Sequence, residues 1–266
     1  MVDRMRRFLA ADLRSALASN GYAYLPAFSR EPDADPLLAL ARTLGPLYRP
    51  RDIGPDSPHL ETRPARDASY LDPFDRPEGL GWHNDFSAHP KRPAVSLAFL
   101  AQADPRGPAH GAWRVASCDL VLDHLLATTE GAGIVRFLRN TRLPFSFSGE
   151  GPPTFLRVLE RRGPSPGRLG LRFYGRTMRN GARLAYGAVP EEIARAIAAV
   201  ETAADAVGQV LEAPPGALLI TDNWHALHDR LPQSVDPGLP LRRSLLCFVD
   251  HLHEDQDAVP AVNPAH

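Results

Sequence analysis

The sequence predicts an antiparallel β core with helices packed outside it, of the distorted jelly-roll or double-stranded β-helix type. Three observations carry this reading. Many short apolar segments are separated by turn-rich stretches, and the helical patterns fall mostly early and at 190–205 instead of alternating with strands. No G-x-G-x-x-G opens a helix after a strand, which argues against a doubly wound α/β fold. A length of 266 residues suffices to bury a sizeable core, and the chain is read as one domain spanning 1–266.

Taken in order, residues 3–18 place apolar side chains at helical spacing, with Gly21 as the stop signal. GYAYLPAF then reads as a short strand, and a second helix over about 35–44 ends at Gly45-Pro46. Residues 46–80 are rich in Pro, Asp and Arg without periodicity, the signature of a long loop or lid. PAVSLAFLAQ is strand-like, and helical stretches follow at about 117–126 and 133–139. PTFLRVLER and RLGLRFYGR alternate as strands, joined by GPSPG. Pro190 opens a helix whose first turn is acidic. VGQVLEA, GALLITDNWHALH and SLLCFVD are further strands, and residues 251–266 read as a solvated tail.

Composition excludes several classes. With 44% hydrophobic and 23% charged residues and a formal net charge of -1, the chain is that of an ordinary globular protein without a nucleic-acid or membrane partner. No apolar run approaches the roughly 20 residues of a membrane span, and the N-terminus lacks a signal-peptide pattern. Two cysteines, Cys118 and Cys247, fit a reducing cytoplasm better than a disulfide scaffold or thiolate zinc site. Lys91 is the only lysine, a bias that GC-rich codons explain.

Chemistry concentrates in GWHNDFS, Gly81 to Ser87. His83 and Asp85 are two apart, so in an extended chain both side chains face one way and can reach one ion. An imidazole and a carboxylate are two parts of the 2-His-1-carboxylate facial triad of non-haem iron oxygenases. H-x-D/E is a weak pattern, and His59-Leu60-Glu61 and His253-Glu254-Asp255 also satisfy it. Only the His83 copy is flanked by Trp82 and a buried-looking strand. A third ligand must come from a distant strand, and His228 in TDNWHALHDR is the candidate, with His225 as its rival. In LRRSLLCF, Arg242 and Arg243 open an apolar strand, where a guanidinium needs an anionic partner. That partner is either a ligand carboxylate held by a bidentate fork or a protein acid across the sheet, and for Arg242 the protein acid is expected.

Together, WHND, DNWHALHDR and RRSLLCFVD resemble the taurine dioxygenase-like and clavaminate synthase-like Fe(II)/2-oxoglutarate oxygenases. GYAYLPAF and LLALARTLGPL resemble the opening segment of the same families, so the likeness runs from about residue 10 to 250. The resemblance implies that His83, Asp85 and His228 hold Fe(II). It further implies that Arg243, aligned with the family's R-x-L-x-x-x-x-D strand, grips the distal carboxylate of 2-oxoglutarate. O2 is then the other co-substrate, and a small molecule is oxidised by hydroxylation or desaturation; with Asp85 present, halogenation is not implied. One departure stands out: Trp113 falls where the family has a Thr that helps bind 2-oxoglutarate. Asn84, Phe86 and Ser87 flank the ligands and are expected to line the substrate pocket. Arg172 or Arg176 is expected to anchor a substrate carboxylate or phosphate. An Arg-rich, Lys-poor composition fits a high-GC bacterium, where such enzymes tailor natural products. The rival readings are a cupin-like metal enzyme or isomerase without 2-oxoglutarate, in which Arg243 pairs with a protein acid, and a non-catalytic binding module on the same fold.

Overall fold

The computed structural model of the chain describes residues 2–49, 59–64, 76–161 and 168–253. Much of the expected 46–80 loop and nearly all of the 251–266 tail lie outside the described residues. Within them, five strands form one antiparallel sheet. They are β1 (Tyr22–Leu25), β2 (Leu60–Thr62), β3 (Val95–Gln102), β10 (Leu218–Asp222) and β12 (Arg243–Val249), in the order β1-β10-β3-β12-β2. β4 (Trp113–Ser117), β9 (Gln209–Leu211) and β11 (Ala226–Arg230) form a second antiparallel sheet, in the order β11-β4-β9. Part of the expected loop is thus an edge strand, since β2 pairs with Ser244–Leu246 of β12.

Alternation sorts each strand into two faces. Val95, Leu97 and Phe99 of β3, Leu218 and Ile220 of β10, and Leu245, Cys247 and Val249 of β12 face outward. They pack against α1 (Val2–Asn20) and α2 (Asp35–Leu44) through Leu13, Leu17, Leu37 and Leu44. The outer face of the smaller sheet, with Ala116 and Leu227, is covered by α3 (Cys118–Leu126), α4 (Thr129–Asn140), α5 (Gly175–Tyr186) and α6 (Glu191–Val207). Between the sheets lies a smaller cluster in which Trp113 of β4 meets Leu100 of β3 and Leu219 of β10. That interior holds few apolar side chains and several buried polar ones, and the chemistry is found there. No helix of the described residues is long and apolar enough to cross a membrane.

Two local readings are corrected. GALLITDNWHALH is not one strand: Asp222 Oδ1 accepts from the N–H of Trp224 (2.9 Å) and His225 (3.3 Å), turning the chain from β10 into β11. This capped turn delivers His228 to the second sheet. RLGLRFYGR is a strand only over Gly170–Leu171 (β8), against β7 (Leu159–Glu160); after a single bridge from Tyr174 to His83 it enters helix α5, which propensity does not announce. Gly181 is the reason that helix packs here, because a Cβ on it would lie 2.4 Å from the carbonyl oxygen of Pro144. Pro144 belongs to β5 (Arg142–Phe145), which pairs with β6 (Thr154–Arg157).

Candidate active site

His83, Asp85 and His228 come together with one ligand atom each, all within 4.8 Å of one another. Asp85 Oδ1 is 3.8 Å from His83 Nε2, and Asp85 Oδ2 is 3.4 Å from His228 Nε2. With metal bonds of about 2.1 Å, cis ligands of an octahedral ion sit about 3 Å apart, so the set is spaced for one ion with little movement. Burial is the main reason the His83 imidazolium is disfavoured, its pKa falling to about 4, with the charge of His228 acting in the same direction. Burial pushes the Asp85 carboxyl up, but His228, His83 and Ser96 outweigh it and hold the pKa near 2. A neutral imidazole and an ionised carboxylate are what a divalent cation requires.

The backbone around the triad is tied on all sides. His83 and His228 exchange N–H···O bonds of 2.9 Å, which sets HxD against β11. Asp85 N–H donates to Asn223 Oδ1 (2.8 Å), and Asn223 Nδ2 donates back to the Asp85 carbonyl (2.9 Å). His83 Nδ1 lies 2.8 Å from the Gly81 carbonyl, which places the proton on Nδ1 and leaves the Nε2 lone pair for a metal. Gly81 is itself held, its N–H donating to Asp229 Oδ1 at 2.7 Å. Arg114 donates to Asp229 (2.6 Å) and Asp205 (2.6 Å), and Asp205 accepts from Trp82 Nε1 (2.8 Å). A network from α6 to the metal ligand thus runs along the outer face of the smaller sheet. Sequence reasoning passed over Asn223 and Asp229, although both stand in DNWHALHDR, the motif that carries His228.

Of the two histidines in that motif, His225 does not join the cluster. It is fully buried in the turn, with Nδ1 2.9 Å from Asp222 Oδ2. The two arginines do not stand as expected: Arg243 meets a protein acid, and Arg242 does not. Arg243, expected to grip 2-oxoglutarate, projects to the outer face, where it pairs with Glu61 (2.8 Å) and donates to the Pro32 carbonyl (2.8 Å). A register shift between Arg243 and Ser244 marks the start of β12, so motif alignment misjudges which side chain points inward. Arg242 is the inward one. It is 2% exposed, its Nη1 donates to Ser244 Oγ (2.5 Å), and its Nε and Nη2 are buried without a hydrogen-bond partner. Burial and the neighbouring Arg230 lower its pKa to about 9, against a partial offset from Asp104. Its guanidinium stands over the ring of Trp113, 5.7 Å from the centroid. Gly111, at φ 65°, leaves the space it needs: a Cβ there would lie 2.7 Å from Arg242 Cδ. So Trp113, at the family's Thr position, forms the floor beneath a buried cation.

The expected pocket residues divide. Asn84 is 1% exposed and is occupied by two backbone ties, Nδ2 to the Ala226 carbonyl (2.7 Å) and Oδ1 to Phe173 N–H (2.8 Å). Ser87 is buried 3.5 Å from Thr177 Oγ1. Arg172 is also withdrawn from any pocket: it donates to the carbonyls of Ser87 (3.0 Å) and His89 (2.5 Å) and pairs with Glu160 (3.3 Å). These three hold the loop behind the ligands in shape. Arg176 is partly exposed and faces the phenol of Tyr174, whose ring centroid is 5.1 Å from that of His83. Phe86 is also partly exposed.

With fold and site in view, the chain matches over residues 3–246 the family described as "Taurine catabolism dioxygenase TauD, TfdA family", and it belongs to that family. The protein is therefore a non-haem oxygenase of the Fe(II)/2-oxoglutarate class, with O2 as the second co-substrate. No curated protein matches the chain by sequence. Among solved structures it is similar to an asparagine oxygenase in complex with Fe(II), 2S,3S-3-hydroxyasparagine and succinate. That likeness has 21% identity and a TM-score of 0.71, covering 93% of this chain and 79% of the other. It is also similar to the non-heme iron oxygenase OrfP in complex with Fe and alpha-ketoglutaric acid, at 18% identity and TM-score 0.65, covering 93% and 80%. The PvcB protein from Pseudomonas aeruginosa is a third such structure, at 17% identity and TM-score 0.66, covering 92% and 81%. At these identities the likeness is one of fold.

Proposed function

We propose that this protein hydroxylates a small, amino-acid-like substrate carrying an anionic group. In this reading His83, Asp85 and His228 hold Fe(II), and Arg242 holds the distal carboxylate of 2-oxoglutarate. The two sheets are the halves of a double-stranded β-helix in one catalytic domain, with iron at its mouth and the co-substrate between the sheets. The observation that carries the reading is Arg242, a buried guanidinium with two unpartnered nitrogens. A charge so placed is costly unless an anion completes it.

Placement supports the assignment. Arg230 lies two residues past His228 on the same face of β11, a step of about 7 Å, and Arg242 neighbours Arg230. That separation suits a five-carbon dicarboxylate reaching from the metal to the guanidinium. The reading without 2-oxoglutarate expected Arg243 to meet a protein acid, and it does pair with Glu61. The unpartnered nitrogens of Arg242 are what favour the co-substrate.

When bound, iron and 2-oxoglutarate supply the oxidising power, as 2-oxoglutarate is converted to succinate and CO2 and one oxygen atom of O2 enters the substrate C–H bond. The chain's residues position and exclude. Asp229 and Gly81 fix the His83 tautomer, Asn223 fixes the Asp85 backbone, and Trp113 with Leu100 and Leu219 keeps the co-substrate site dry. Arg176, beside Tyr174 and His83, is the anchor for the substrate's anionic group. The test is O2-dependent succinate formation from 2-oxoglutarate with Fe(II). Wild type should form it, His228→Ala should not, and Arg242→Ala should form it only at much higher 2-oxoglutarate concentrations. Succinate formation undiminished in His228→Ala would refute the proposal.

A further inference from the structure

The loop that follows the metal ligands has an unusual conformation. Phe86, immediately after Asp85, is the one non-glycine among the described residues with positive φ, at 56°. That conformation is uncommon for any bulky L-residue and is strained by roughly 1–3 kcal/mol in sites where such strain persists. Glycine would meet the backbone requirement without strain, so the ring has a use that offsets the conformation. The turn is closed by His89 N–H donating to the Phe86 carbonyl (2.9 Å).

The ring lies at the centre of an aromatic group. Its centroid is 5.0 Å from that of Phe248, 5.3 Å from Tyr48 and 5.6 Å from His89, each contact edge to face. Phe248 projects from the inward face of β12 directly opposite Ser96 of β3, and Ser96 lies beside the Asp85 carboxylate. The group therefore adjoins the triad on its Asp85 side, and Phe86, Tyr48 and His89 all remain partly exposed. On the His83 side stand Tyr174 and Arg176, and Arg176 is in no ion pair among the described residues. Beside the triad, the Arg176 cation thus lies on the His83 side and the Phe86 ring on the Asp85 side.

We infer that the substrate is an aromatic acid, its ring standing against Phe86 while its carboxylate meets Arg176, and that Phe86 determines this specificity. The inference rests on the iron and 2-oxoglutarate reading above and adds the substrate class to it. It sets this chain apart from its structural neighbours, whose bound ligands include hydroxyasparagine and dihydroxy-arginine, both polar. Offset and edge-to-face ring contacts, together with the apolar area they bury, are worth about tenfold or more in affinity over a polar side chain of similar length.

The experiment titrates L-phenylalanine, L-tyrosine, L-asparagine and L-arginine into the protein loaded anaerobically with Fe(II) and 2-oxoglutarate, following the visible charge-transfer band. The proteins compared are wild type, Phe86→Gly, which relaxes the backbone while removing the ring, and Phe86→Leu, which keeps an apolar side chain. The band formed before any amino acid is added serves as the folding control. An aromatic amino acid should perturb the wild-type band at concentrations about tenfold or more below asparagine and arginine. Both variants should lose that preference. Equal responses to all four, a preference for asparagine or arginine, no response to either aromatic, or a preference retained in Phe86→Gly would each overturn the inference while leaving the iron and 2-oxoglutarate reading intact. Absence of the band in folded wild type, before any addition, would remove both.

Discussion

At the scale of single residues, adjacent side chains of one type have opposite fates. Arg242 and Arg243 share charge and motif, yet one is sealed between the sheets and the other is half-buried on the outer face with Glu61. Charge-assisted bonds to a buried guanidinium are worth about 1.5–3 kcal/mol. Arg242→Ala should therefore raise the KM for 2-oxoglutarate by about tenfold to a hundredfold in steady-state succinate assays. Arg242→Lys should not restore it, because a point charge cannot replace the fork. Arg243→Ala should leave that KM unchanged and cost at most about 1 kcal/mol of stability in denaturant titration, as partly exposed pairs do. Asp229 acts on the metal ligand His83 through the backbone of Gly81. Asp229→Asn removes the charge that holds Gly81 and Arg114, and it should weaken metal affinity by about 10- to 100-fold in a competition titration. Unchanged affinity would show that the Gly81–His83 tie needs no such support.

At the scale of elements, the sequence was legible wherever apolar periodicity was strong. Helix α2 spans Asp35–Leu44 and helix α6 spans Glu191–Val207, close to the pattern read for each. Helix α5 was missed because its buried face is made of Gly175, Thr177, Met178, Gly181 and Ala182, small residues that leave little hydrophobic signal. Their smallness has a structural cause, the backbone of β5 against Gly181. Gly181→Ala should cost about 1–3 kcal/mol through overpacking and lower Tm by roughly 3–10 °C. Because α5 starts beside Tyr174, which bridges to His83, metal affinity should fall as well. The split of one apparent strand into β10 and β11 was written in the sequence as Asp222-Asn223, a turn signal hidden in an otherwise apolar run. The inward and outward sides of β12 were not legible, because the irregularity at Arg243/Ser244 depends on the partner strand β3.

At the scale of the whole molecule, the site exists only when both sheets are assembled. His228 belongs to the smaller sheet, Arg242 enters the larger one, and His83 and Asp85 arrive on the segment between β2 and β3. Ligand types and order could be read from the motifs, but their convergence is a property of the packed sheets. Metal binding should therefore stabilise the fold as a unit. A divalent cation at 100 times its Kd adds about 2.7 kcal/mol, so thermal unfolding of wild type with Co(II) or Zn(II) should shift upward by several degrees. Asp85→Ala should show no such shift, since it lacks the carboxylate at the centre of the cluster.

The central claim is that one interior holds both the metal set and the anion-binding Arg242. The measurement that tests it most directly is anaerobic titration of 2-oxoglutarate into the Fe(II)-loaded protein, watched for the weak visible metal-to-ligand charge-transfer band. Wild type and Arg243→Ala should give the band at similar concentrations, Arg242→Ala only at much higher ones, and His228→Ala not at all. A flat spectrum from folded wild type, or a titration that responds to Arg243→Ala and ignores Arg242→Ala, would contradict the account.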